Sequence, residues 1–310
     1  MHTTYALKKF ANNNQTVYKL TKQNLYTAKD TKERQDMGDN KPKLEEQVLR
    51  KLCKLTRHSY TLLTERGNSA IYIALAIAKR VNPRPYVLIP DQGGWISFKN
   101  YPKNFNFSIC ELKTDYGLIN TRELRSKTKT ASALLLTSFA GYFAEQPLKT
   151  IAKICKETGC LLIEDASGAI GDRKLCNGKY ADIVVGSFEK SGPVSIGYGG
   201  FVSISNLKYL EAVSDVLSLF KTHGSLYKEL KGQLNGKRLK AMLAKAEEVK
   251  NDLKQFELIH KDKRGLNVIT KFNTDVIKYC TEKNYHYTLC PNYTRINEKA
   301  ICIELKRLNI

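Results

Sequence analysis

Two apolar stretches of this chain stop on side chains able to do chemistry. Cys160 to Ile163 runs into Glu164-Asp165-Ala166-Ser167-Gly168. Ile183 to Val185 runs into Gly186-Ser187-Phe188-Glu189-Lys190-Ser191-Gly192, with Gly197-Tyr198-Gly199-Gly200 close behind. Parallel strands ending this way deliver polar side chains to one sheet edge, where open α/β sheets bind ligands. Asp165 is the sharpest of these groups, because a carboxylate at the end of an apolar strand is costly to bury ionised unless a cation pairs with it. A protonated pyridine nitrogen is one such cation; the plainer alternative is an Asp that caps the next turn at the surface. Gly67-Asn68-Ser69 opens an apolar helix, whose free N–H groups and positive dipole end suit a phosphate, although ordinary capping asks for the same residue types. Ser187 offers a hydroxyl to that phosphate. Trp95, the only tryptophan, follows Pro90-Asp91-Gln92-Gly93-Gly94 just past another strand. Its face is placed either to stack on a planar ring or to serve as core or lid.

These residues need a frame to hold them. Leu44, Val48, Leu49 and Leu52 share one helical face, Tyr60 to Leu63 reads as a strand, and Ile71 to Ala78 as the apolar helix behind the Gly67 turn. Strands at Tyr86 to Ile89, Phe107 to Cys110, Ala133 to Thr137 and Leu161 to Ile163 alternate with helices near Ile96 to Tyr101, Thr121 to Arg125 and Leu148 to Lys156. That spacing predicts an α/β fold of βαβ units with a mostly parallel sheet flanked by helices. Phe201 to Ile204 closes this part. A helical region from Leu207 to about His260, broken near His223-Gly224 and Gly236, leads to strands at Val268 to Lys271, Tyr285 to Leu289 and Ala300 to Leu305. With a helix between Asp275 and Lys283, they predict a smaller α+β domain. The expected division is a polar arm over 1–40, a large α/β domain over 41–205, and a helical linker plus small domain over 206–310.

The totals narrow the classes. The chain has 310 residues, 42% apolar and 26% charged, an ordinary globular balance. Nothing approaches the ~20 apolar residues of a membrane span, and Met1 to Phe10 lacks the apolar core of a signal peptide, so a cytoplasmic protein with no membrane partner is expected. Eight scattered cysteines without a C-x-x-C pair predict buried, reduced thiols and no zinc site. Lys and Arg outnumber Asp and Glu by 51 to 30, a net charge of +21. Such an excess can mark nucleic-acid binding, yet it is spread along the chain and interleaved with glutamate, as solvated helix faces are. The glycines of Gly197 to Gly200 do not make a dinucleotide turn, since a strand and no helix follows them.

Taken together, these residues resemble the fold-type I pyridoxal-phosphate enzymes, most closely the DegT/StrS-type sugar aminotransferase family. Arg66-Gly67-Asn68-Ser69-Ala70-Ile71 is similar to that family's Gly-Thr-Ala-Ala-Leu phosphate turn. Ile89-Pro90 through Trp95 is similar to its Val-Pro-Ala-x-Thr-Phe segment, with one extra residue. Glu145-Gln146-Pro147 through Glu164-Asp165-Ala166 follows its stretch from Gly-x-Pro to Glu-Asp-Ala. The resemblance runs from about Leu44 to Ile204 and thins beyond. It implies an aspartate-aminotransferase-like fold, a pyridoxal 5'-phosphate cofactor, a homodimer, and transfer of an amino group from a small donor to a keto sugar or similar acceptor. It also implies site residues: Gly67, Asn68, Ser69 and Ser187 on the phosphate, Asp165 on the pyridine nitrogen, Trp95 on one ring face, and Ser167 beneath the ring in place of a small apolar residue.

The chain departs from the family at the lysine that forms a Schiff base with the cofactor. The pattern is Ser-Phe-x-x-x-Lys, and counting from Ser187 reaches Gly192, with Gly199-Gly200 in register beyond it. Lys190 stands two residues early. In an extended segment it shares a face with position 192 but sits roughly 6–7 Å away, where about an ångström of misplacement already costs rate. A bulge at Ser191-Gly192-Pro193 would bring Lys190 into play as the catalytic residue. Without one, the expectation is a catalytically degenerate binding or regulatory protein. A lysine placed at 192 would cost about 1–2 kcal/mol if Gly192 is left-handed. Gly168 stands where the family has Gln or His, and Arg264, Arg295 and Arg307 have no assignable role.

Overall fold

The apolar runs become strands because both faces of the sheet they form are covered. In the computed structural model, which describes residues 26–27, 43–217, 219–220 and 225–310, eight of them form one sheet. They are β1 (Tyr26–Thr27), β2 (Tyr60–Thr64), β3 (Tyr86–Pro90), β4 (Ser108–Leu112), β5 (Ala131–Thr137), β6 (Leu161–Asp165), β7 (Ile183–Ser187) and β8 (Gly200–Ile204), in the order β1-β2-β8-β7-β6-β5-β3-β4. The five from β7 to β4 run parallel. β8 is antiparallel to both β7 and β2, so β2 points the same way as the five. The C-terminal ends of β2 to β7 and the first residue of β8 therefore share one edge. Apart from Tyr26–Thr27, the polar arm lies outside the described residues, as does the break expected at His223-Gly224.

Strand alternation sends Val87, Ile89, Leu135, Ile163 and Val185 to one face, beneath helix α2 (Gly67–Val81). Leu88, Leu134, Leu136, Leu162 and Val184 go to the other, beneath α1 (Leu44–Thr56), α4 (Thr121–Thr128) and α5 (Leu148–Thr158). Near-continuous apolar strands of this kind suit a parallel sheet buried on both sides. Between β3 and β4 lies the short α3 (Ile96–Asn100).

The helical region after β8 is more broken than its sequence predicts. It comprises α6 (Leu207–Glu211), α7 (Ser214–Leu217), α8 (Ser225–Gln233) and α9 (Lys237–Asp252), with Gly236 left-handed at the start of α9 (φ 70°). Helix α9 stops at Asp252 because the chain beyond pairs with a sheet: Ile259 N–H donates to Ile269 O and Lys271 N–H to Glu257 O. Tertiary pairing overrides helical propensity here. The small antiparallel sheet has the order β9-β11-β10, from β9 (Val268–Lys271), β10 (Tyr287–Cys290) and β11 (Ala300–Ile303), and is covered by α10 (Thr274–Glu282). β11 ends two residues earlier than expected, since Glu304 leaves the strand conformation (φ −85°, ψ 59°) and a 3-10 turn, Leu305–Arg307, follows.

No helix among the described residues is long and apolar enough to cross a membrane. Gly232 sits exposed inside α8, and a Cβ there would meet nothing within 4 Å. Gly232→Ala is expected to raise stability by about 0.5–1 kcal/mol, measured by denaturant unfolding.

Candidate functional site

The site begins where β2, β8 and β7 lie side by side, with Thr64 opposite Gly200 and Gly200 opposite Ser187. Helix α2 starts right after β2, and Arg66 at its N-cap contributes no side-chain capping bond. The first-turn N–H groups are thus left for a ligand. Two glycines make this corner feasible. A Cβ on Gly67 would stand 2.5 Å from Ser187 Cβ, and one on Gly200 would stand 2.7 Å from Gly186 O and 2.8 Å from Arg66 O.

Glu164 and Asp165 at the end of β6 part company because successive strand residues face opposite ways. Glu164, fully buried, accepts from Ser138 Oγ (2.6 Å) and Cys176 N–H (2.8 Å), and burial raises its carboxyl to about 6. It ties down the loop around Cys176. Asp165, also buried, faces the sheet edge. Its Oδ1 accepts from Ser167 N–H (3.0 Å) and Ser167 Oγ (2.6 Å), while Oδ2 receives no hydrogen bond among the described residues. Burial raises the Asp165 pKa, against the two Ser167 bonds that lower it. Ser167 Oγ in turn accepts from Ser187 N–H (2.9 Å), which links the ends of β6 and β7.

Gly67, Asn68, Trp95, Asp165, Ser167, Ser187, Lys190 and Gly192 line one cavity at this edge. Asn68 uses its side-chain oxygen to orient the tryptophan: Trp95 Nε1–H donates to it at 3.0 Å and Ser97 Oγ at 2.7 Å. Ser69 stands apart from the lining, its hydroxyl donating to Glu65 (3.3 Å). Gly192 is not left-handed; its neighbour Ser191 is (φ 72°). A Cβ at Gly192 would lie 3.2 Å from Val194 O and 3.4 Å from Ser167 O, a tight fit without the φ penalty. Lys190 is exposed at the rim. Beside it Glu189 pairs with Arg66 across the rim (2.9 Å).

Five lining residues were not expected from the sequence: Ile71, Tyr142, Glu189, Ser191 and Lys306. Ile71 was findable, one helical turn beyond Gly67. Tyr142 carries no motif, but its ring explains Gly168: a Cβ there would stand 3.0 Å from Tyr142 Cδ1, so the tyrosine fills the space a larger side chain would take. Lys306 arrives from the 3-10 turn after β11. The three arginines now have partners. Arg264 bridges Glu145 (2.5 Å) and Asp172 (2.8 Å), Arg295 pairs with Glu304 (2.7 Å), and Arg307 lies 3.7 Å from Glu304.

A model of the DegT/DnrJ/EryC1/StrS aminotransferase family matches residues 19–269. The chain belongs to that family. A second model, the MJ1341 family C-terminal domain, matches residues 236–310, the part that carries Lys306. Among curated proteins no match is found. Solved structures similar to this DegT-family chain include Helicobacter pylori PseC, an aminotransferase involved in the biosynthesis of pseudoaminic acid. It is 12% identical over 94% of this chain and 90% of that one, with a TM-score of 0.67. NtdA of Bacillus subtilis, solved with bound cofactor PMP, is 15% identical over 97% and 79% (TM-score 0.67). A 3-amino-5-hydroxybenzoic acid synthase is 15% identical over 95% and 90% (TM-score 0.65). At these identities the likeness is one of fold: the pyridoxal-phosphate-dependent transferase fold, with its mostly parallel central sheet and small C-terminal sheet domain.

Proposed function

We propose that this DegT-family chain binds pyridoxal 5'-phosphate at the β2–β8–β7 edge. There it would move an amino group from a small amino donor to a keto sugar or similar keto acceptor, as a cytoplasmic homodimer. The observation that carries this reading is Asp165, a buried carboxylate with one oxygen fixed by Ser167 and the other turned toward the cavity. A group with a protonated ring nitrogen supplies the cation that such a carboxylate lacks. The rest of the lining suits the same molecule. The uncapped first turn of α2, with the Ser187 hydroxyl, fits a phosphate, and Gly67 keeps that turn clear of a Cβ. Trp95, held by Asn68, offers a flat apolar face to the ring.

When bound, pyridoxal phosphate supplies an aldehyde and an electron-withdrawing ring. The protein holds the ring nitrogen protonated through Asp165, anchors the phosphate through α2, and shields one face with Trp95. The homodimer and the keto-sugar acceptor rest on the family resemblance, and the cytoplasmic setting on the hydropathy of the sequence. The glycine at 192 supports a second reading, a cofactor-binding protein without catalysis.

Adding pyridoxal phosphate is expected to quench the fluorescence of the single tryptophan, Trp95. Asp165→Asn should weaken that binding by about 10–100-fold, the worth of one charge-assisted hydrogen bond of about 1.5–3 kcal/mol. Unchanged fluorescence at saturating cofactor would sink the reading. Amino-group exchange between donor and acceptor then separates an enzyme from a binding protein.

A further inference from the structure

Gly192 offers no amine, and Lys190 stands exposed at the rim of the cavity. Another lysine reaches the same space. Lys306 Nζ lies 3.8 Å from the centroid of the Tyr142 ring and lines the cavity with Asp165, Trp95 and the Gly67 turn. Resting on the function proposed above, the geometry points to Lys306 as the amine of this site: its Nζ condenses with the aldehyde of pyridoxal phosphate, in the role that a lysine at position 192 would have held.

Lys306 Nζ makes no hydrogen bond or ion pair among the described residues, and the nearby Glu304 charge only partly offsets its desolvation. The ring of Tyr142 is its contact. The neighbouring carboxylate is taken, since both oxygens of Glu304 accept from Arg295, with Thr288 and Asn267 donating as well. A surface lysine would find water. Although Lys306 is only partly buried, it lines the cavity, and desolvation first, then the Arg295 charge, lowers its pKa to about 8. Desolvation beside a second cation is one of the ways a lysine becomes a nucleophile near neutral pH.

The scaffold around Lys306 holds it there. Its backbone N–H donates to Asn267 Oδ1 (3.2 Å), and Leu266 and Asn267 N–H both donate to Tyr142 O (2.7 and 3.0 Å). Tyr142, left-handed at φ 68°, thus carries its ring between Gly168 and Lys306. Burial and then the Asp165 charge hold its phenol protonated above its ordinary range, so the ring meets the lysine as a neutral face that favours a nearby cation. The absence of a side chain at Gly168, a departure from the family pattern, leaves room for the Tyr142 ring that Lys306 contacts.

The step balances without an oxidant or reductant. The Nζ lone pair forms a bond to the aldehyde carbon, the carbon–oxygen double bond breaks, and the oxygen leaves as water with the two amine protons, leaving a carbon–nitrogen double bond.

The test uses the full chain loaded with pyridoxal phosphate, reduced with borohydride, digested and mapped by mass spectrometry. The pyridoxyl group is expected on Lys306. Lys190→Ala should keep it, and Lys306→Ala should lower the yield at least tenfold while Trp95 fluorescence is still quenched, which shows that the variant is folded and binds. An adduct on Lys190, one spread over surface lysines only, or none at all while the cofactor still quenches Trp95, overturns Lys306 and leaves the cofactor site standing. Failure of the native chain to quench overturns both.

Discussion

Arg295→Met is expected to destabilise the protein by about 3–5 kcal/mol, the cost of leaving a buried charge without its partner. Arg295 Nε and Nη2 donate to the two oxygens of Glu304 at 2.7 and 2.8 Å, and the side chains are 6% and 0% exposed. Burial works to raise the Glu304 pKa, and the guanidinium outweighs it, so the carboxyl sits below its ordinary value. That contribution is present at neutral pH and is lost as the pH falls through the lowered value. In Arg295→Met the acid-side loss should disappear, because the pair is already broken. Replacing both residues by apolar ones of similar volume should recover most of the stability. Denaturant unfolding across pH measures both; a loss under 1 kcal/mol in the single variant would show that water relieves Glu304. The same substitution should raise the Lys306 pKa, since Arg295 is one of the charges that depress it.

Gly67→Ala is expected to cost about 1–3 kcal/mol of stability and to weaken cofactor binding by more than tenfold. The new methyl group would stand 2.5 Å from Ser187 Cβ and 3.1 Å from its Cα. That strand cannot yield, because β7 is bonded on both sides, to β6 and to β8. Helix α2 has to shift instead, carrying its free N–H groups away from Ser187. Gly200→Ala, which meets backbone at 2.7 and 2.8 Å, should destabilise at least as much. Unfolding combined with a cofactor titration separates the effects, and a Gly67→Ala protein of native stability and affinity would show that the turn is more pliant than its contacts indicate.

Much of the frame is legible in the chain because its chemistry is local. A strand ending in Glu164-Asp165, one ending in Gly186-Ser187, and a helix opening on Gly67 each declare themselves within a few residues, and the parallel order puts their ends together. Period-2 alternation even separates Asp165 from Glu164. What the sequence hides is contact between distant parts. Tyr142 follows Phe139-Ala140-Gly141 and reads as turn or core, and its place beside Gly168 depends on a left-handed backbone that Tyr rarely adopts. Lys306 lies among Leu305 and Arg307 and looks like any surface lysine, because nothing local shows that Arg295 will claim Glu304 and leave it unpaired. Helix α9 stops at Asp252 for the same reason, its continuation being claimed by Ile269 and Lys271.

The small sheet that carries Arg295 and Lys306 is the last part of this sequence to be translated. Gly67, Asp165 and Ser187 all precede it in the chain, and Lys306 follows its last strand. On the function proposed above, a chain cut before Val268 would keep the residues proposed for phosphate and ring and would lose Lys306, so the two halves of the proposed site can be separated by a single cut in the sequence.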